Sequence, residues 1–190
     1  MVPDTRLFIA LCWLIFWAFW LVSSFSAKKT AKAHSRSWSI RFALIALGLY
    51  FVMKDVPVVA AVAGLRLWPD ERQVGLLADA VALAGLAVLI WARLTIGRDW
   101  SAQVVFKEDH QLAMTGPYAY VRHPIYTGLL LLMLATALDY GILSGFAVFA
   151  VFAAVFFYKS RIEERFMTEH FPEKYPAYMK RTKAFIPWIF

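Results

Sequence analysis

Apolar positions in this chain fall in long unbroken blocks, and polar positions are gathered into short segments between them. A hydrocarbon core about 30 Å thick takes roughly 20 apolar residues per helix. Blocks near residues 7–22, 38–65 and 75–96 therefore predict three membrane-spanning helices. Residues 126–138 and 142–157 are also apolar and are parted only by Asp139, Tyr140 and Gly141. So brief a break predicts a helical hairpin, spans four and five. The first block could instead be a signal peptide, but Lys28, Lys29, Lys32 and Arg36 follow it rather than precede it, so a retained helix is expected. The predicted fold class is an all-α integral membrane protein with about five transmembrane helices. One domain is expected over 1–190, with three helices in 1–96 and the polar chemistry, the hairpin and an amphipathic tail in 97–190.

Charge then sets the orientation. Residues 23–41 hold five Lys/Arg and no acid, and the tail from Lys159 holds seven Lys/Arg against four Glu. Both are expected in the cytoplasm, since basic segments beside spans stay inside. The turn with Arg66, Asp70, Glu71 and Arg72 is neutral, as an outside loop can be. The N-terminus is then outside, and the polar stretch 97–126 and the tail share the cytoplasmic face. A formal charge of +7 in a chain that is 61% hydrophobic is thus a topology signal before it is a nucleic-acid signal, and no nucleic-acid partner is expected. Cys12 is the only cysteine, so neither a disulfide framework nor a thiolate metal cluster is expected. Lys54, Asp55, Asp79 and Arg93 interrupt apolar runs; such groups are costly in a bilayer, but their off-centre positions favour structural roles.

Three polar segments can carry chemistry. In Arg122-His123-Pro124, the proline keeps His123 out of the helix and suits the first helical position. That places Arg122 and His123 at the cytoplasmic mouth of span four, beside unpaired amides that favour an anion. In Lys159-Ser160-Arg161-Ile162-Glu163-Glu164, helical spacing puts Lys159 with Glu163 and Ser160 with Glu164. The third, His110-Gln111-Leu112 to Gly116-Pro117-Tyr118, is a turn-rich connector able to line a pocket for a planar base. No His or Cys pair stands at ligand spacing, so no metal is expected. No glycine-rich nucleotide loop or nucleophile elbow is present.

Taken in order, Trp100-Ser101, Lys107, His110-x-Leu112, Gly116-x-Tyr118, Arg122-His123-Pro124-x-Tyr126, Glu163-Glu164 and Phe171-Pro172-Glu173-Lys174-Tyr175-x-x-Tyr178 resemble the isoprenylcysteine carboxyl methyltransferase family. More distantly they are similar to phospholipid N-methyltransferases. The resemblance covers residues 97–187 and implies a single membrane methyltransferase domain using S-adenosylmethionine. By position it implies cofactor contacts from His110, Gln111, Leu112, Ala113, Tyr118, His123, Pro124, Ile125, Tyr126 and Glu163. Where eukaryotic members place an Arg for the substrate carboxylate, this chain has Lys159, with Arg161 two residues on. Lys is a point charge without the bidentate fork of Arg.

The resulting expectation is methyl transfer to a lipid-like acceptor drawn from the bilayer, most simply carboxyl methylation of an isoprenoid-type substrate. Lys159 and Arg161 would place the acceptor. For an amine acceptor, Glu164 or His110 would serve as base. The alternatives are a phospholipid or amine N-methyltransferase, an NADPH-dependent sterol-type reductase, and a non-catalytic scaffold or transporter subunit.

Overall fold

The structure is a computed structural model that describes residues 5–24, 61–97 and 112–189. The helices bounded within the described residues are α1 Thr5–Ser24, α2 Arg72–Ile96, α3 Pro124–Tyr140, α4 Leu143–His170 and α5 Lys174–Arg181, with a 3-10 turn at Gly116–Ala119. Helices α1, α2 and α4 are long and apolar enough to cross a membrane, and α3 is a shorter apolar helix. The blocks at 7–22, 75–96, 126–138 and 142–157 are thus all helical, and the all-α membrane architecture expected from hydropathy is the one observed. Most of the block at 38–65, with Lys54 and Asp55, lies outside the described residues.

The core lies where α1, α2 and α3 meet. It is built from Ile9, Cys12 and Phe16 of α1, Ala78, Ala82, Leu86 and Leu89 of α2, and Leu132 and Ala135 of α3. Small residues dominate the α2–α3 contact, as expected where lipid offers no hydrophobic drive and close packing must hold helices together. The closest point is a glycine pair. A Cβ on Gly85 would lie 2.9 Å from the Gly128 carbonyl oxygen, and one on Gly128 would lie 2.7 Å from Leu89 Cγ. Polar ties cross the same bundle: Thr5 Oγ1 donates to Asp139 at 2.6 Å, and Trp13 Nε1 donates to Thr136 Oγ1 at 3.0 Å. Arg93 is buried and donates to the carbonyls of Ser23, at 2.6 Å, and of Gly97. It therefore fastens the end of α1 to the end of α2, a structural role like the one expected of it.

The hairpin is closed by Gly141 in the left-handed conformation, φ 61°. Its carbonyl accepts from Leu67 N at 2.8 Å, while Leu143 N donates to Leu65 O at 2.9 Å. Helix α4 then runs well past its apolar block, to His170. Only Ser160 and Glu164 of this helix are buried, so most of its surface faces outward, toward lipid. Its charged last turns project beyond the apolar block and carry the second half of the site.

Candidate functional site

Local backbone chemistry builds the first half of the site between α2 and α3. Gly116 has φ 58° and sits so tightly that a Cβ would be 2.7 Å from Thr95 Oγ1. Pro117 opens the 3-10 turn, which delivers Tyr118 into a buried position where its carbonyl accepts from the Tyr178 hydroxyl at 2.6 Å. The next residues run alongside the C-terminal segment. Arg122 N donates to Lys183 O at 2.8 Å and His123 N to Ala184 O at 3.0 Å. Thr127 Oγ1 completes the seam with a 2.8 Å bond to Phe185 O. His123 is the N-cap, with φ −124° and ψ 58°, and Pro124 begins α3, as the proline rule predicts.

The charged side chains at this mouth meet those of α4. The two ring nitrogens of His123 reach different carboxylates: Nδ1 lies 3.5 Å from Glu163 and Nε2 lies 3.3 Å from Glu164. Arg122 Nε is 2.7 Å from Glu164, which is buried. The Tyr126 hydroxyl donates to Glu163 at 2.6 Å. Lys159 Nζ stands 3.8 Å from Glu163 and 5.4 Å from the centre of the Tyr126 ring. Parallel rings line this wall, with His123 and Tyr126 at 5.5 Å and 8°, and Tyr126 and Phe156 at 4.8 Å and 3°. One carboxylate and one aromatic face together already hold a cation, an arrangement that rings favour through their negative faces.

Electrostatics follow from that geometry. Burial alone would lower the pKa of His123, but its bonds to Glu163 and Glu164 and their negative charge outweigh it and hold the imidazole above its ordinary 6.5. Protonated, both ring nitrogens donate, so one imidazolium satisfies two carboxylates. Burial also raises the hydroxyls of Tyr118 and Tyr178, the latter to about 12 although Thr182 and Arg122 oppose it. Both phenols are therefore neutral donors near pH 7.

Of the sequence-derived site residues, His123, Tyr126 and Lys159 meet Glu163, and Arg161 reaches Glu164 at 3.5 Å. Pro124 and Ile125 open α3, with Ile125 packed against the helical core, and Tyr118 is buried in the 3-10 turn. Leu112 and Ala113 are half-buried in the stretch before the 3-10 turn. His110 and Gln111, with Trp100, Ser101 and Lys107, lie outside the described residues. Ser160 does not turn to Glu164; its hydroxyl donates to Phe157 O at 2.7 Å on its own helix. Sequence reasoning left out the C-terminal segment 182–185, whose backbone carbonyls organise Arg122, His123 and Thr127. Among the described residues no group of three His, Cys, Asp or Glu side chains is placed to hold a metal ion.

Residues 77–169 match the profile of the isoprenylcysteine carboxyl methyltransferase family. The nickel-cobalt-cadmium resistance protein NccN of Alcaligenes xylosoxydans is 27% identical over 74% of this chain and 64% of its own length. The cobalt-zinc-cadmium resistance protein CzcN of Cupriavidus metallidurans is 30% identical over 74% of this chain and 63% of its length. The protein-S-isoprenylcysteine O-methyltransferase of Schizosaccharomyces pombe is 35% identical over 52% of this chain and 43% of its length. The chain thus spans less than two thirds of each of these relatives. The solved structure of the eukaryotic intramembrane Ras methyltransferase ICMT superposes with a TM-score of 0.54 at 23% identity, covering 84% of this chain and 55% of that one.

Proposed function

From the match of residues 77–169 to the isoprenylcysteine carboxyl methyltransferase family profile, we propose that this chain is an S-adenosylmethionine-dependent methyltransferase of a lipid-like acceptor. It is a multi-pass integral membrane protein, and the reading makes 97–190 its catalytic half. The observation that carries the proposal is the meeting of His123 and Tyr126, from the mouth of α3, with Glu163 of α4, some forty residues later. The donor set fits the cofactor: Glu163 and the Tyr126 face already receive one cation, Lys159, and a sulfonium is a cation of similar demand. S-adenosylmethionine, when bound, supplies a methyl group on an already activated leaving group.

In this reading Glu163, Tyr126 and His123 hold the positive end of the donor, while Leu112, Ala113, Tyr118, Pro124 and Ile125, with His110 and Gln111, line its remainder. Lys159 and Arg161, which pair with Glu163 and Glu164 in the structure, would turn to align an acceptor carboxylate, for which no base is needed. Catalysis then rests on proximity and orientation, which can supply roughly 7–11 kcal/mol. An amine acceptor would require a base, and Glu164 is the candidate beside His110. Glu164 is instead ringed by Arg122, Arg161 and His123, which hold it ionised and hydrogen-bonded and so favour a carboxylate acceptor. The acceptor tail enters sideways from the lipid between helices, and the donor enters from the cytoplasm.

Purified protein incubated with methyl-tritiated S-adenosylmethionine and a total lipid extract tests this. The expected result is label in an organic-soluble product and its release by mild base, as for a methyl ester. Base-stable label would transfer the assignment to N-methylation. Absence of both labelled lipid and calorimetric cofactor binding would refute the methyltransferase reading.

A further inference from the structure

Residues 180–189 present an exposed surface that is both apolar and basic. Ile186, Trp188 and Ile189 are 50%, 84% and 76% exposed. Trp188 holds a φ of 64°, the left-handed region that a bulky residue enters only at a cost. Lys180, Arg181 and Lys183 are exposed on the approach to it. Between these groups, the carbonyls of Lys183, Ala184 and Phe185 hold Arg122, His123 and Thr127.

Depth decides what covers this surface. Helix α4 rises about 1.5 Å per residue, so Glu163 lies roughly 30 Å along it from Leu143, about the thickness of a hydrocarbon core. Glu163 contacts His123, and the backbone of His123 is bonded to that of Ala184. The C-terminal segment therefore lies at the level where hydrocarbon gives way to headgroups. An indole is favoured at that level, exposed isoleucines there avoid water, and three nearby cations match an anionic headgroup layer.

We infer that residues 180–189 form an interfacial anchor, with Trp188 and Ile189 seated in the headgroup layer and Lys180, Arg181 and Lys183 reading its negative charge. The occupant of this exposed surface is the anionic lipid of the membrane that the helices cross. Because the same segment supplies the carbonyls that hold Arg122 and His123, contact with that lipid stabilises the mouth of α3. This coupling would steady the site proposed above, and in that respect it rests on that proposal; the anchor itself does not.

The test uses the full chain in nanodiscs of phosphatidylcholine, with or without phosphatidylglycerol, and lipids brominated either near the headgroup or near the chain end. With 8 Trp in the chain, the Trp188 signal is taken as the emission lost in Trp188→Phe. That component is expected to be quenched most by bromine near the headgroup. Amide exchange over 182–189 is expected to slow when phosphatidylglycerol is present, and replacing Lys180, Arg181 and Lys183 with Gln should remove the difference, at roughly fivefold per cation. Trp188 emission that is unquenched, or quenched most at the chain end, overturns the anchor. Exchange that ignores headgroup charge, or a charge dependence that survives the triple substitution, overturns its recognition of anionic lipid. None of these readouts uses S-adenosylmethionine, so a failed methyltransferase assay leaves them standing.

Discussion

At the scale of single residues, the two adjacent glutamates of α4 carry different loads. Glu164 is buried and lies 2.7 Å from the largely covered Arg122, so removing the carboxylate leaves a poorly hydrated guanidinium without its counter-charge. Glu164→Ala is expected to cost roughly 3–5 kcal/mol in a denaturant or thermal unfolding measurement. Arg161 touches the same carboxylate at 3.5 Å from a half-exposed position, and Arg161→Ala should cost under about 1 kcal/mol. Equal losses would show that the buried pair has no special weight. His123 supplies a pH test. The groups facing it are Glu163 and Glu164 on α4, with Tyr126 one turn along its own helix. Its folded pKa is raised above 6.5, so its charged form is favoured in the folded state. That contribution is complete below pH 6.5 and is lost as pH rises through the raised value. Melting temperature should therefore fall with pH above neutrality more steeply in the parent than in His123→Gln; parallel curves would remove the imidazolium bridge.

At the scale of elements, the crossing of α2 and α3 aims the Arg122-His123 mouth at α4. The Gly85–Gly128 contact permits that crossing, and neither neighbour can move: Leu89 is fully buried, and the Gly85 oxygen 2.8 Å from a Cβ on Gly128 is backbone. Gly128→Ala should destabilise by about 1–3 kcal/mol through overpacking and lower the proposed methyl transfer further than a change on the lipid face such as Leu83→Ala. If Gly128→Ala melts with the parent, the crossing is looser than this contact implies. Much of this level was legible. Unbroken apolar blocks gave α1 to α4 because a span cannot be built otherwise, and Pro124 marked the start of α3 by steric exclusion alone. The seam at 182–185 was not legible, since it consists of backbone carbonyls, and any sequence offers those at every position. Pairing of Arg122 with Glu164 was equally hidden: helical register predicted which residues share a face of α4, but only the fold says which face turns to the mouth.

At the scale of the whole molecule, both ends of the bundle are polar but in opposite senses. One end gathers Arg6, Arg66 and Asp70, with the Asp70 carboxylate 2.5 Å from Arg66 and 3.1 Å from Arg6, and pairs its charges locally. The other end carries the site, the basic α5 and the charged last turns of α4. An excess of cations holds a segment in the cytoplasm, whereas a balanced loop crosses freely, so the site should face the cytoplasm and the Asp70 end the outside. Cys12 is buried, which leaves an almost silent background for labelling. Single cysteines at the exposed Glu71 and Glu173 report the two faces. In intact cells a membrane-impermeant maleimide should label Glu71→Cys, and it should label Glu173→Cys only after permeabilisation. The reverse pattern would put the donor site outside, where no cytoplasmic pool of S-adenosylmethionine reaches it, and would break the link between this geometry and methyl transfer.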